Sequence, residues 1–393
     1  IRQYAEVRQT FDRSIPGDQE RAHREATKLY RKHRKEADKG CIVSWKHCYL
    51  PNELSAIQHA YNILIDDGED VFASEYQQEP TEPGSPGPLR ITAEQVATKV
   101  NGLDRGVVPK TAEHVTAYVD VHERVLYYVV CAWAPDFAGV VMDYGTYPKQ
   151  PTSYFAQASA PVAMQHAHPG LVEDAWILAV ISIVTDQLLA TPYRREDSAT
   201  MRIGKLLIDS KWGQKTELVK QFCRRHPQGG SVVVPSMGIG FGPTRKMFSD
   251  YRPEPGTVIG LNWRLATQRG GDRVLSVDVN WWKTFTVTRL AMPLGTPGGW
   301  ELFGNDPKEH KLFADHCVAE EPKTIVHKES QRERVTWELK PGRPDNHWFD
   351  GLVGSAVAAS TLGVTPEGHE PVKSRRSSPA ERPSMAQLAG LER

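Results

Sequence analysis

Three runs rich in β-branched and aromatic residues follow one another between positions 115 and 144: VTAYVDV, VLYYVVCAW and AGVVMDY. The polar links between them are too short for a crossover, so the runs must pair as consecutive antiparallel strands. A long apolar helix at about 171–190 comes next, closed by Pro192. KLLID (205–209), a helix at about 216–226 and SVVVP (231–235) then read as strand, helix, strand, with short apolar runs suited to buried parallel strands. The aromatic and β-branched composition of 273–279 and 281–290 predicts a further hairpin, and a last helix is expected at about 347–360. The expected fold class is α/β, a mixed sheet of three antiparallel and two parallel strands flanked by helices, with a helical N-terminal segment.

On topology this is the ribonuclease H-like arrangement. In that fold the first strand, the end of the fourth and a late helix converge, so acids far apart in sequence can meet. Asp120 interrupts the first strand on the face it shares by alternation with Thr116 and Tyr118, where an unpaired carboxylate is costly. Asp209 ends KLLID at the carboxyl end of a parallel strand, where α/β sheets open their sites, although an acid there is more often a turn residue. Asp350 stands in the first turn of the last helix, a position dipole complementarity alone could explain. Gly351 and Gly354 beside it would let that helix approach the sheet closely. Three carboxylates converging without cations call for a metal, and hard oxygen ligands select Mg²⁺ or Mn²⁺; two such ions can hydrolyse a phosphodiester.

Lys+Arg and Asp+Glu are equal at 48, so bulk charge does not attract nucleic acid and any DNA contact must be a local basic patch. Lys211, Lys215, Arg245 and Lys246 are the candidate DNA contacts, with Arg224 and Arg225 nearby. The five scattered cysteines do not form a disulfide framework and suggest a reducing compartment. The longest apolar stretch is too short to span a bilayer, so no membrane role is expected. A charged helix at about 12–37 and a helical pair at 52–65 and 69–76 precede EPTEPGSPGPL (79–89), whose prolines and glycines pack as neither helix nor strand. The expected organisation is a helical segment over 1–80, a linker and connecting helix over 81–110, the ribonuclease H-like domain over 111–364 and a disordered Ser/Arg/Pro-rich tail over 365–393. The first residue is Ile, which suggests that the chain begins inside a longer polypeptide.

GCIVSWKHCYLPNELSAIQHAYN through DVFASEYQQEP resembles the end of the ATPase domain in large terminase subunits of tailed phages, the DNA-packaging motors. AYVDVHE, LLIDSKWGQKTELVKQFCRRH and PDNHWFDGLVGSAVAAS resemble the three motifs of that family's nuclease domain, each contributing one metal-binding acid. The resemblance covers most of 25–362. It implies a metal-dependent endonuclease that cuts concatemeric DNA during packaging, with Asp120, Asp209 and Asp350 as catalytic ligands of two Mg²⁺ or Mn²⁺ ions. The implied partners are double-stranded DNA, a portal protein and a small terminase subunit, in the host cytoplasm. No Gly-x-x-x-x-Gly-Lys-Ser/Thr loop occurs in the 393 residues, so no ATPase site is expected in this chain. Two rival readings are a non-catalytic docking module of a packaging complex and a junction-resolving or transposase-like nuclease on the same fold.

Other residues carry weaker signals. His347 shares a helix face with Asp350 and is a candidate accessory group. Asp143, Asp278 and Asp345 are candidates for a fourth carboxylate. Cys41, His47 and Cys48 lack a second ligand pair at zinc spacing. His166 and His168 read as loop. Trp281, Trp282 and Lys283 read first as core and second as a DNA-facing ribbon, the two tryptophans pointing to opposite faces of a strand.

Overall fold

The computed structural model describes residues 2–10, 17–41, 43, 46–66, 90–241, 248, 251, 256–268, 270–326, 333–343 and 345–366. The expected helix at 69–76, the EYQQEP and proline-rich stretches, Arg245, Lys246 and the tail from 367 lie outside the described residues. The chain divides into two units, Ile1–Arg90 with Ala319–Lys323 and Trp337–Asn346, and Ile91–Val318 with Thr324–Thr336 and His347–Arg393.

In the first unit, α1 (Arg2–Gln9), α2 (Asp18–Ala37) and α3 (Ala56–Asp66) surround a small core of Tyr4, Ala26 and Tyr30, joined by Leu29, Tyr61 and Ile65. Gly17 begins α2 at φ 81°, a backbone that glycine adopts without strain. The second unit begins its helices with α4 (Ala93–Ala97), followed by α5 (Met164–Ala167), α6 (Glu173–Ala190), α7 (Thr216–Arg225), α8 (Val279–Ala291), α9 (Lys311–Cys317) and α10 (His347–Thr361).

Its strands are β1 (His114–Val121), β2 (Leu126–Trp133), β3 (Gly139–Tyr147), β4 (Tyr193–Arg194), β5 (Thr200–Met201), β6 (Lys205–Asp209), β7 (Val233–Ile239), β8 (Val258–Gly260), β9 (Trp263–Thr267), β10 (Arg273–Asp278) and β11 (Trp300–Leu302). Two further strands, β12 (Glu320–Val326) and β13 (Glu333–Leu339), pair with each other. Among the described residues, nine strands form one sheet in the order β11-β3-β2-β1-β6-β7-β10-β9-β8. Its centre is the expected ribonuclease H-like set: β1, β2 and β3 antiparallel, then β6 and β7 parallel to β1. β10 adds in parallel to β7 and β11 in parallel to β3, while β9 and β8 extend the sheet antiparallel beyond β10.

Alternation along β1 separates two layers. Val115, Ala117, Val119 and Val121 pack into one core with Ile177, Val180, Ile181 and Val184 of α6 and with Val219 and Cys223 of α7. The intervening Thr116 and Tyr118 face α10: Thr116 Oγ1 lies 2.8 Å from the Ser355 carbonyl oxygen, and a β-carbon at Gly354 would run into the Tyr118 ring. One at Gly351 would lie 2.6 Å from Val129 Cγ2. The glycines therefore set the depth at which α10 lies on the sheet, as the small residues of that helix predicted.

The expected hairpin of 273–279 with 281–290 is corrected. Arg273–Asp278 is a strand, but its antiparallel partner is the preceding β9, and the chain turns directly into α8. Asp278 decides this, because its carboxylate accepts from the backbone N–H groups of Asn280 and Trp281 and so caps a helix. The aromatic run then buries Trp282, Lys283, Thr286, Val287 and Leu290, a helical stripe. The two tryptophans are accordingly not on opposite faces of a strand: their rings meet edge to face with centroids 5.0 Å apart, and Trp282 is fully buried. His166 lies in the short α5 rather than a loop, and His168 just after it, hydrogen-bonded to the Tyr147 hydroxyl at 3.0 Å. All five cysteines are free thiols, and no described helix is long and apolar enough to cross a membrane.

Candidate active site

The parallel register of β1 and β6 pairs Val119 with Ile208, which places Asp120 and Asp209 one step further along adjacent strands. Such strands are about 4.8 Å apart, so two carboxylates on the same face are close neighbours. Asp209 in turn pairs with Ser236 on β7. A row of Asp120, Asp209 and Ser236 thus crosses three strands beneath the N-terminal turn of α10, which carries Asp350. All four residues line one cavity of about 220 Å³, walled by Tyr118, Leu207, Val277 and Val353 and rimmed by Lys211.

The acids have different surroundings. Asp120 is buried and its Oδ2 meets two imidazoles, His122 Nε2 at 2.7 Å and His347 Nδ1 at 3.1 Å. Burial alone would raise its pKa, but the two histidines overcome that effect and hold the carboxyl far below its usual range. Asp209 Oδ1 accepts from the Lys211 backbone N–H at 3.2 Å. Burial first, and then the negative charge of Asp120 and of Asp350, push its carboxyl up to about 7. Asp350 Oδ1 is 2.9 Å from Lys283 Nζ, delivered by the second turn of α8. Tyr118 stays a neutral phenol, because burial and the adjacent Asp209 and Asp120 raise its pKa.

The three acids singled out in the sequence therefore reach one cavity, but the expectation that they converge without cations is corrected. Lys283 pairs with Asp350 and two histidines face Asp120. Lys283, singled out in the sequence only as part of a hairpin, instead stands on a helix and meets Asp350. His122 had a visible signal, since it is two residues from Asp120 and alternation returns it to the same side. His347, singled out beside Asp350, instead makes its contact with Asp120.

Lys211 lies at the rim, whereas Lys215 Nζ bonds Glu173 and Asp174 at 2.6 Å each. Arg224 pairs with Asp272 at 3.0 Å. The proposed fourth carboxylates do not line the cavity: Asp143 pairs with Arg105, Asp278 caps α8, and Asp345 belongs to the first unit. Among the described residues, Asp120, His122 and His347 form a group whose potential metal-ligating atoms lie within 4.8 Å of one another; Cys41 and Cys48 take no part in it.

The model of the gpA family of terminase large subunits, endonuclease domain, matches residues 77–370. The chain belongs to that family. No curated protein and no solved structure is a match for it. The matched span contains the whole nine-stranded sheet and every residue of the cavity, so the terminase endonuclease domain is the part of the chain built around the acids.

Proposed function

We propose that this terminase domain cuts concatemeric phage DNA during genome packaging by divalent-ion-assisted phosphodiester hydrolysis, with Asp120, Asp209 and Asp350 as ligands of two Mg²⁺ or Mn²⁺ ions. One observation supports this reading above the rest: carboxylates from β1, β6 and α10 border a single cavity in which one of them, Asp209, cannot readily carry its charge. Lys283 is committed to Asp350 and the two histidines to Asp120, which leaves Asp209 without a cationic side chain of its own among the described contacts. The donor set of carboxylate oxygens suits a hard divalent cation, which would supply positive charge there and polarise the phosphodiester.

The protein groups then have separable tasks. Asp120 is pinned by its two imidazoles. Asp209 gives up its proton when positive charge arrives. Lys283 orients Asp350, and the apolar walls of Val277, Val353 and Tyr118 restrict water. Lys211 at the rim is placed to meet the DNA backbone, and we assign Arg245 and Lys246 the same role from sequence alone. We also take residues 1–80 as the end of an ATPase domain and the portal protein and small terminase subunit as partners, working in the host cytoplasm. Nicking of supercoiled plasmid in Mg²⁺ or Mn²⁺, abolished by chelator and by Asp209→Asn at unchanged circular dichroism, is the expected result. Full activity of that variant would remove Asp209 from the site. A preference for four-way over linear DNA would favour a junction-resolving enzyme, and an absence of any cleavage a docking module.

A further inference from the structure

The geometry points to a mixed nitrogen and oxygen metal position made by Asp120, His122 and His347, which selects a first-row transition ion over Mg²⁺; this rests on the metal-dependent reading above and narrows it. Two ring nitrogens converge on one carboxylate oxygen, at 2.7 and 3.1 Å, and the ligating atoms of all three residues fall within 4.8 Å. Ligands at right angles on an ion with bonds of about 2.1 Å are about 3 Å apart, and opposite ones about 4.2 Å; the two contacts to Asp120, at 2.7 and 3.1 Å, match adjacent ligands, and the 4.8 Å limit on the whole group leaves a small closing movement to complete the sphere.

The rings are also held in place. His347 stacks on Tyr127 with centroids 4.5 Å apart, and the His122 and His347 rings approach to 3.9 Å. Asp120 and His347 are buried, while His122 is partly open, leaving a side from which water or a phosphate oxygen could complete the sphere. Asp120 lines the carboxylate cavity and touches both histidines, neither of which lines it. It can therefore be shared between an all-oxygen position with Asp209 and Asp350 and a histidine position on its other side. Imidazole is a poor ligand for Mg²⁺ and a good one for first-row transition ions, so the second position carries the selectivity.

The test uses Mn²⁺ and Mg²⁺ on the intact chain, read by binding and spectroscopy. Calorimetry should give at least tenfold tighter binding of Mn²⁺ than of Mg²⁺, and pulsed electron paramagnetic resonance of bound Mn²⁺ should show nitrogen coupling that changes when the histidines are labelled with ¹⁵N. His122→Ala and His347→Ala should each remove part of that coupling and bring the two affinities closer together. Because the labelled, unsubstituted protein carries the decisive signal, a misfolded variant does not decide the matter. Mn²⁺ that binds in an Asp120-dependent manner without nitrogen coupling would overturn the histidine position and leave the carboxylate site standing. Failure of either ion to bind in an Asp120-dependent manner would overturn both.

Discussion

Each unit of this chain buries a cluster of polar side chains, and the two clusters are built on opposite rules. In the first unit Gln58 Nε2 donates to Thr27 Oγ1 at 2.9 Å and to the Tyr4 hydroxyl at 3.2 Å, while its Oε1 accepts from the Leu54 N–H at 2.7 Å. The Tyr4 hydroxyl donates to Asn62 Oδ1, and Asn62 Nδ2 donates to Glu53 Oε1, both at 2.6 Å. Every donor named there meets an acceptor, and such a network rigidifies a small core. In the second unit carboxylates on adjacent strands face one cavity, and Asp209 is pushed toward protonation first by burial and then by the charges of Asp120 and Asp350. Matched groups stabilise the fold, whereas a buried carboxylate held beside two others carries an electrostatic cost, which the proposed cation would relieve.

Substitution breaks this contrast most strongly at the level of activity. Asp120→Asn, Asp209→Asn and Asp350→Asn should each lower plasmid nicking by at least about a hundredfold, the loss that follows removal of a metal ligand or its immediate support. Gln58→Ala should leave nicking unchanged and instead lower stability by about 1–3 kcal/mol, because it strands buried partners. If the acids behaved like Gln58, losing stability but not activity, the distinction would collapse.

A second test reads packing. Gly354→Ala puts a methyl group into the Tyr118 ring, and overpacking of this kind costs about 1–3 kcal/mol or more. A fall in melting temperature of several degrees is expected. Nicking should fall too, since α10 carries Asp350 and would be lifted from the sheet.

A third test uses pH. The Asp209 carboxyl titrates near 7 in the folded state and near 3.9 in the unfolded chain, so the folded protein binds the extra proton between those values. Its contribution to stability is therefore largest at low pH and is lost as pH rises from about 4 to 7. In chelator, Asp209→Asn should melt at the same temperature as the parent or higher at pH 8, with the difference shrinking toward pH 5. Millimolar Mn²⁺ should raise the parent's melting temperature more than the variant's. A variant that melts several degrees lower in chelator, with an unaltered Mn²⁺ increment, would make Asp209 an ordinary structural residue.

The sequence made part of this site legible for definite reasons. The meander and the βαβ unit follow from alternation and run length, which are local. Asp120 was visible because a charged residue interrupts a strand that otherwise reads as buried, and the reach of Asp350 because Gly351 and Gly354 flank it. What was missed depended on partners distant in sequence. The composition of 281–290 favours a strand, and only the capping bonds of Asp278 show that the chain turns into a helix there. The strand reading put Lys283 on a ribbon and so hid its 2.9 Å pair with Asp350, which joins residues 67 positions apart in the chain. No local pattern could have announced it.

The smallest expected effect separates two lysines that sequence alone treats alike. Lys215 already satisfies its charge with Glu173 and Asp174 at 2.6 Å, on the side of α6, and resembles the matched cluster of the first unit in this respect. Lys211 is exposed at the cavity rim, and among the described residues it makes no ion pair. A phosphate approaching the acids would meet Lys211 directly, but would have to displace two carboxylates to recruit Lys215. Lys211→Gln should therefore weaken DNA binding several-fold, regardless of DNA sequence, and reduce the slope of log affinity against log salt by roughly 0.9, one phosphate contact. Lys215→Gln should leave that slope unchanged and cost little stability, because solvent screens exposed ion pairs. Titrations of both variants at several salt concentrations decide between them. Equal losses would mean that the Lys215 pairs open when DNA arrives, and that matched and unmatched charges in this unit are not the separate classes their geometry suggests.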